Sequence, residues 1–148
     1  MKTKINYLLL LTVIVLINVS LLSAQQKPEP WRTDQLMATS ALAAKIESNQ
    51  TADLLILSIG PDAIIKGSVA IGPTQEAANL AKLRNYLIQV PKDKKVVLYC
   101  GCCPFDKCPN IRPAFSTLNK MGFKNAELLN IPKNIKVDWI DKGYPTKD

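Results

Sequence analysis

The chain has 148 residues, 19 of them basic and 12 acidic, and it contains no histidine. The missing imidazole removes histidine general acid–base catalysis, Ser-His and Cys-His nucleophile pairs, and any metal site built on histidine. The basic excess is spread along the chain with no Arg-rich run and no interleaved aromatics, so nucleic-acid binding is not expected.

Lys2 and Lys4 precede an apolar run from Tyr7 to Leu22, and the small pair Ser23-Ala24 then meets the polar Gln25-Gln26. This is the pattern of a secretory signal peptide over residues 1–24. The run is short for a membrane span and is interrupted by Asn18 and Ser20, although a retained single anchor is the competing reading. No cysteine lies near the junction, so a lipid-modified N-terminus is not expected. Cleavage would remove Lys2 and Lys4 and leave a mature net charge of about +5. The expected protein is exported, periplasmic or secreted, without stable membrane insertion after cleavage. Residues 25–36 read as a polar, Pro-bearing linker, and residues 37–148 as one domain, long enough to bury a core.

Thr39 to Glu47 has helical spacing, with Leu42 and Ile46 on one face. Asp53 to Ile59 is a short apolar run closed by Gly60-Pro61, the mark of a buried parallel strand. Ser68 to Ile71 is a second short strand bracketed by glycines. Ala77, Leu80, Leu83, Leu87 and Val90 form one apolar stripe of a helix, with Thr74 as its expected N-cap and Glu76 in its first turn. Lys95 to Cys100 is the strongest strand signal. A further stripe of Ala114, Phe115, Leu118 and Met121 is stopped by Gly122, and Ala126 to Leu129 reads as a fourth strand. Strands alternating with helices imply an α/β fold, a parallel sheet flanked by helices on both faces.

All four cysteines fall in Cys100-Gly101-Cys102-Cys103-Pro104-Phe105-Asp106-Lys107-Cys108, between the best strand and a helix. Ligands of open α/β sheets bind at that edge, where helix N-termini present N–H groups. The helix dipole, Lys107 and Arg112 all favour thiolate there, and Gly101 lets the backbone turn and offer N–H groups to an anion. Three other uses of the loop stay open. A strand-end cysteine also serves as a small core hydrophobe. Disulfides that staple exported folds join distant segments, whereas pairs within this loop would close tiny rings of little stabilising value. Four thiolates also suit a soft metal ion, but the paired Cys-x2-Cys knuckles of ordinary zinc sites are missing, so no metal is assigned.

The order of motifs resembles the rhodanese homology domain. Val96-Val97-Leu98-Tyr99-Cys100 matches the central strand that ends in the active-site cysteine, and Asn125 to Leu129 matches a following strand. Trp139-Ile140-Asp141-Lys142-Gly143-Tyr144-Pro145 matches the closing Trp-x-x-x-Gly-Tyr-Pro, and Ile65-Lys66-Gly67-Ser68-Val69 resembles the His-Ile-Pro-Gly-Ala stretch. The resemblance covers residues 37–145. It implies a sulfurtransferase in which Cys100 forms a persulfide, taking sulfane sulfur from a small anionic donor and passing it to a thiol acceptor, with no cofactor. Cys102, Cys103 and Cys108 are the auxiliary thiols, and Gly101, Lys107 and Arg112 the expected substrate contacts. The chain departs from the family in several places, among them the missing His of the His-Ile-Pro-Gly stretch and the three extra cysteines of the loop. Its loop is longer, Asn110 stands where the family's Arg starts the helix, and Ser58-Ile59-Gly60 replaces an Asp-x-Arg pair. The alternative is a thiol-disulfide redox or metal-binding module on the same loop, without sulfur transfer.

Overall fold

A computed structural model describes residues 28–147 of the chain. The expected signal peptide, residues 1–24, lies outside the described residues. No helix among those described is long and apolar enough to cross a membrane.

Five strands, β1 (Leu36–Ala38), β2 (Leu54–Ser58), β3 (Val69–Ala70), β4 (Lys95–Tyr99) and β5 (Ala126–Asn130), form one sheet in the order β1-β5-β4-β2-β3. Every pairing is parallel. The fold is the α/β class expected, a parallel sheet with helices on both faces. Helices α1 (Thr39–Glu47), α2 (Ala77–Ile88) and α3 (Ile111–Lys120), with the single turn α4 (Ile135–Asp138), make the crossovers and the closing layer.

Strand alternation divides the core in two. On one face Leu57, Val96, Leu98, Ala126 and Leu128 meet Leu83 and Leu87 of α2 and Ala114, Phe115 and Leu118 of α3. The register aligns Leu36, Leu128, Leu98, Leu57 and Val69 in a row across all five strands. On the other face Met37, Ile56, Val97, Tyr99 and Leu129 meet Leu42, Ala43 and Ile46 of α1 and the ring of Trp139. Each fully buried Leu, Ile or Phe contributes about 1.5–3 kcal/mol of transfer free energy. The central strand β4 is apolar on both sides because both faces are covered.

The helix stop at Gly122 is as expected: with φ +83, it donates its N–H to the Asn119 carbonyl, and Phe123 donates to that of Leu118. This is a Schellman closure. Other local expectations need correction. Glu76, not Thr74, precedes α2, and the Thr74 hydroxyl instead donates to the Asn110 carbonyl at 2.6 Å. Ala77 is exposed and lies off the buried stripe. The expected linker is also partly folded. Leu36 opens β1, Gln35 donates its side-chain amide to the Ala126 carbonyl at 3.0 Å, and Trp31 packs edge-on against Phe115 at 5.9 Å.

Two of the segments on which the sequence resemblance rests meet in space. Lys66 N–H donates to the Pro145 carbonyl, Lys147 N–H donates to that of Ile64, and Ile65 bridges Thr146. Trp139 is fully buried; its indole N–H donates to the Pro145 carbonyl at 3.0 Å and its ring stands edge-on to Tyr144. The closing motif is thus an anchor for the C-terminal turn.

Candidate functional site

β4 ends by delivering Tyr99 and Cys100 to opposite faces. The Tyr99 hydroxyl accepts the Ile65 N–H at 3.2 Å and lies 2.9 Å from the Ser68 hydroxyl, which fixes the strand end from below. Cys100 joins the core of the α2–α3 face and is 4% exposed. Two glycines make room for it. Gly60, after β2, lies so close that a Cβ there would stand 2.2 Å from the Cys100 carbonyl oxygen and 3.0 Å from its Sγ. Gly101 turns the chain with φ +85, where a Cβ would meet that of Ile135 at 2.8 Å, and its carbonyl accepts the Ile135 N–H.

From there the loop folds back on its own sulfurs. Cys102 Sγ lies 3.2 Å from Cys100 Sγ, 3.2 Å from Cys103 Sγ and 3.9 Å from Cys108 Sγ. The sulfurs of Cys100, Cys102 and Cys108 all lie within 4.8 Å of one another. All four cysteines are free thiols; Cys100 and Cys108 are buried, Cys103 half-buried and Cys102 exposed. The tip closes in short turns, with Lys107 N–H donating to Pro104 and Cys108 N–H to Phe105. Phe105 N–H donates to the Ile131 carbonyl, which ties the loop to the end of β5.

Asn110 completes the cluster. Its Nδ2 donates to Cys100 Sγ at 3.2 Å while its Oδ1 accepts the Gln75 N–H at 3.0 Å. It precedes α3 without capping it, because its side chain is committed to the sulfur and to residue 75.

These contacts hold Cys100 as a thiolate, its pKa lowered from 9.0 to about 5. The neighbouring Cys108 thiol has the largest effect. Burial opposes, and the Cys102 N–H, the Asn110 amide and the Cys102 thiol add to the lowering. The neighbours shift the other way. Cys102 is pushed up to about 12, first by partial desolvation against its neighbours and then because Cys100 and Cys103 crowd it. Cys108 is pushed up by the neighbouring Cys100 sulfur and by burial. One ionised sulfur among protonated ones is the state that close like charges impose.

The expected site residues are thus only partly brought together. Cys100, Cys102, Cys103 and Cys108 form one continuous cluster. Gly101 serves the turn and seats α4. Lys107 is exposed at the tip. Arg112, expected to contact substrate, is engaged elsewhere: it pairs with Glu29, donates to the Asp106 carbonyl at 3.2 Å and stacks over Trp31. Asn110 was not among the expected contacts, although its place at the helix start, where the family carries Arg, was the available signal.

No protein-family model and no curated protein matches the chain. A solved structure described as "The wildtype structure of EanB" is similar over 82% of this chain, at 16% sequence identity and a TM-score of 0.57. The chain spans 29% of that structure's length. The likeness is one of fold.

Proposed function

We propose that the protein is an exported, rhodanese-like sulfurtransferase or sulfane-sulfur carrier in which Cys100 forms the persulfide. The observation that carries this reading is the placement of Cys100 Sγ at the carboxyl end of the central strand, with the Asn110 amide directed at it from 3.2 Å. The five-stranded parallel sheet supports it at the level of fold.

In the first step the Cys100 thiolate attacks the outer sulfur of thiosulfate. The new S–S bond forms as the S–S bond of the donor breaks, sulfite leaves with the electron pair, and Cys100 holds a persulfide anion. An acceptor thiolate then attacks the terminal sulfur, becomes a persulfide, and returns Cys100 as thiolate. The donors that stabilise the resting thiolate, the Asn110 amide and the Cys102 N–H, lie near the negative charge of the persulfide as well. Cys102 is the nearest internal acceptor, within 3.2 Å of both Cys100 and Cys103. Transfer to it would carry sulfur from the buried thiol to an exposed one.

Mass spectrometry of the reduced protein separates this reading from its alternative. After thiosulfate the wild type is expected to gain the mass of one sulfur, and Cys100→Ser to gain none. An unchanged gain in Cys100→Ser, or a wild type that only loses two hydrogens to oxidised glutathione, which is reduced to two thiols, would overturn the assignment in favour of thiol-disulfide exchange.

A further inference from the structure

The three sulfurs of Cys100, Cys102 and Cys108 form a set that sulfur transfer does not need. One nucleophile and one acceptor suffice for that chemistry, yet Cys108 comes from the far end of the loop and is fully buried against the other two. Metal–sulfur bonds of about 2.3 Å place the sulfurs of a trigonal site about 4 Å apart. The observed separations are 3.2 Å for Cys100–Cys102 and 3.9 Å for Cys102–Cys108, with the third pair inside 4.8 Å. A small outward adjustment of Cys102, the exposed member, brings its separation from Cys100 to that of such a site.

We infer that Cys100, Cys102 and Cys108 form a trigonal, all-thiolate site for Cu(I). The donor set selects the ion class: no carboxylate among the described residues joins the cluster, the chain has no imidazole, and thiolate alone favours soft ions. The number of donors argues against zinc, whose structural sites close with four ligands. Cys103 does not supply the fourth from this position, because its sulfur lies 3.2 Å from Cys102 on the exposed side of the cluster and outside the mutually close three. Two ligands are buried and one is exposed, which gives the ion a path in through Cys102. Binding moves no electrons. Cu(I) forms three Cu–S bonds, and the thiols that still carry protons release them to solvent. The inference stands apart from sulfur transfer, since it uses the sulfurs whether or not Cys100 ever carries a persulfide.

Reduced protein would be titrated without oxygen with Cu(I) held by bicinchoninate, the loss of the chelate colour reporting transfer. One Cu(I) per chain is expected. Cys102→Ser and Cys108→Ser should each weaken binding by about 100-fold or more, beyond what outer-shell losses cause, while Cys103→Ser leaves it unchanged. Cys108 is buried, so its replacement risks the fold. X-ray absorption at the copper edge of the wild type therefore gives an independent count, expected as three sulfurs and no nitrogen or oxygen. Two or four sulfurs, an oxygen ligand, a Cys103→Ser protein that loses the ion, or preference for Zn(II) over Cu(I) would each overturn the site. Sulfur gain from thiosulfate by the metal-free protein is read separately. A chain that gains sulfur but takes no copper removes only this inference, and one that binds copper without gaining sulfur removes only the transfer reading.

Discussion

Asn110 serves two partners at once, and its amide has the one chemistry that does both. Nδ2 donates to Cys100 and Oδ1 accepts from Gln75. Asn110→Asp keeps an oxygen for the Gln75 N–H but replaces the donor at sulfur by a negative charge. The Cys100 pKa should then rise from about 5 towards that of an ordinary thiol. Thiolate absorbance in the ultraviolet, followed against pH in reduced metal-free protein, checks this, with Cys100→Ser expected to lose the low-pH transition altogether. Sulfur transfer at pH 6 should fall with the thiolate fraction and recover at higher pH, a pH-dependent rescue that a merely structural role for Asn110 would not produce. The residue escaped the sequence reading for a physical reason. A polar side chain between Pro109 and Ile111 belongs to no apolar stripe, and its partners lie 10 and 35 positions away. Arg112 misled for the same reason in reverse. Its helix-start position pointed at the loop, but a carboxylate 83 residues earlier in the chain takes it.

At the scale of elements, legibility followed length and burial. β2, β4, β5, α1 and the Gly122 stop are carried by local runs of apolar residues, and each stands where its pattern ends. β1 escaped because three residues hold too little periodicity, and its pairing with β5 joins Met37 to Leu129 across most of the domain. The close approach of β2 to β4 was also hidden, since Gly60 read only as a strand stop. Gly60→Ala is expected to displace the Cys100 carbonyl and sulfur, because the added methyl would stand 2.2 Å from that oxygen and the obstacle is backbone. Sulfur uptake should fall by about 10-fold or more, as small misplacements of reacting groups do. The secondary structure should persist in circular dichroism, and a Gly60→Ala protein with wild-type uptake would show that Cys100 tolerates the shift.

For the whole molecule, the buried thiolate couples the site to stability. The folded pKa of Cys100 lies below its unfolded value, so its ionisation stabilises the fold fully above about pH 9 and loses that contribution as pH falls through about 5. Cys102, pushed up to about 12, acts oppositely, and its contribution is lost as pH climbs from about 9 through about 12. The urea midpoint of reduced, metal-free wild type should therefore rise relative to that of Cys100→Ser between pH 5 and pH 9. Parallel profiles for the two proteins would show that Cys100 is not ionised at low pH in the folded state.

The alternation of β4 also sets where the chain tolerates changes in length. Tyr99 and Cys100 are distinguished by parity alone: one side chain belongs to the Trp139 face and the other to the Phe115 face. A residue inserted within Lys95–Tyr99 would send the sulfur to the wrong side of the sheet, away from Asn110 and Cys108. One inserted among Pro104 to Lys107 would enlarge only the tip, because strand and helix fix the loop's two ends independently. The length of this loop can therefore be absorbed without disturbing the address of Cys100, and the same stretch carries Cys102, Cys103 and Cys108 to it.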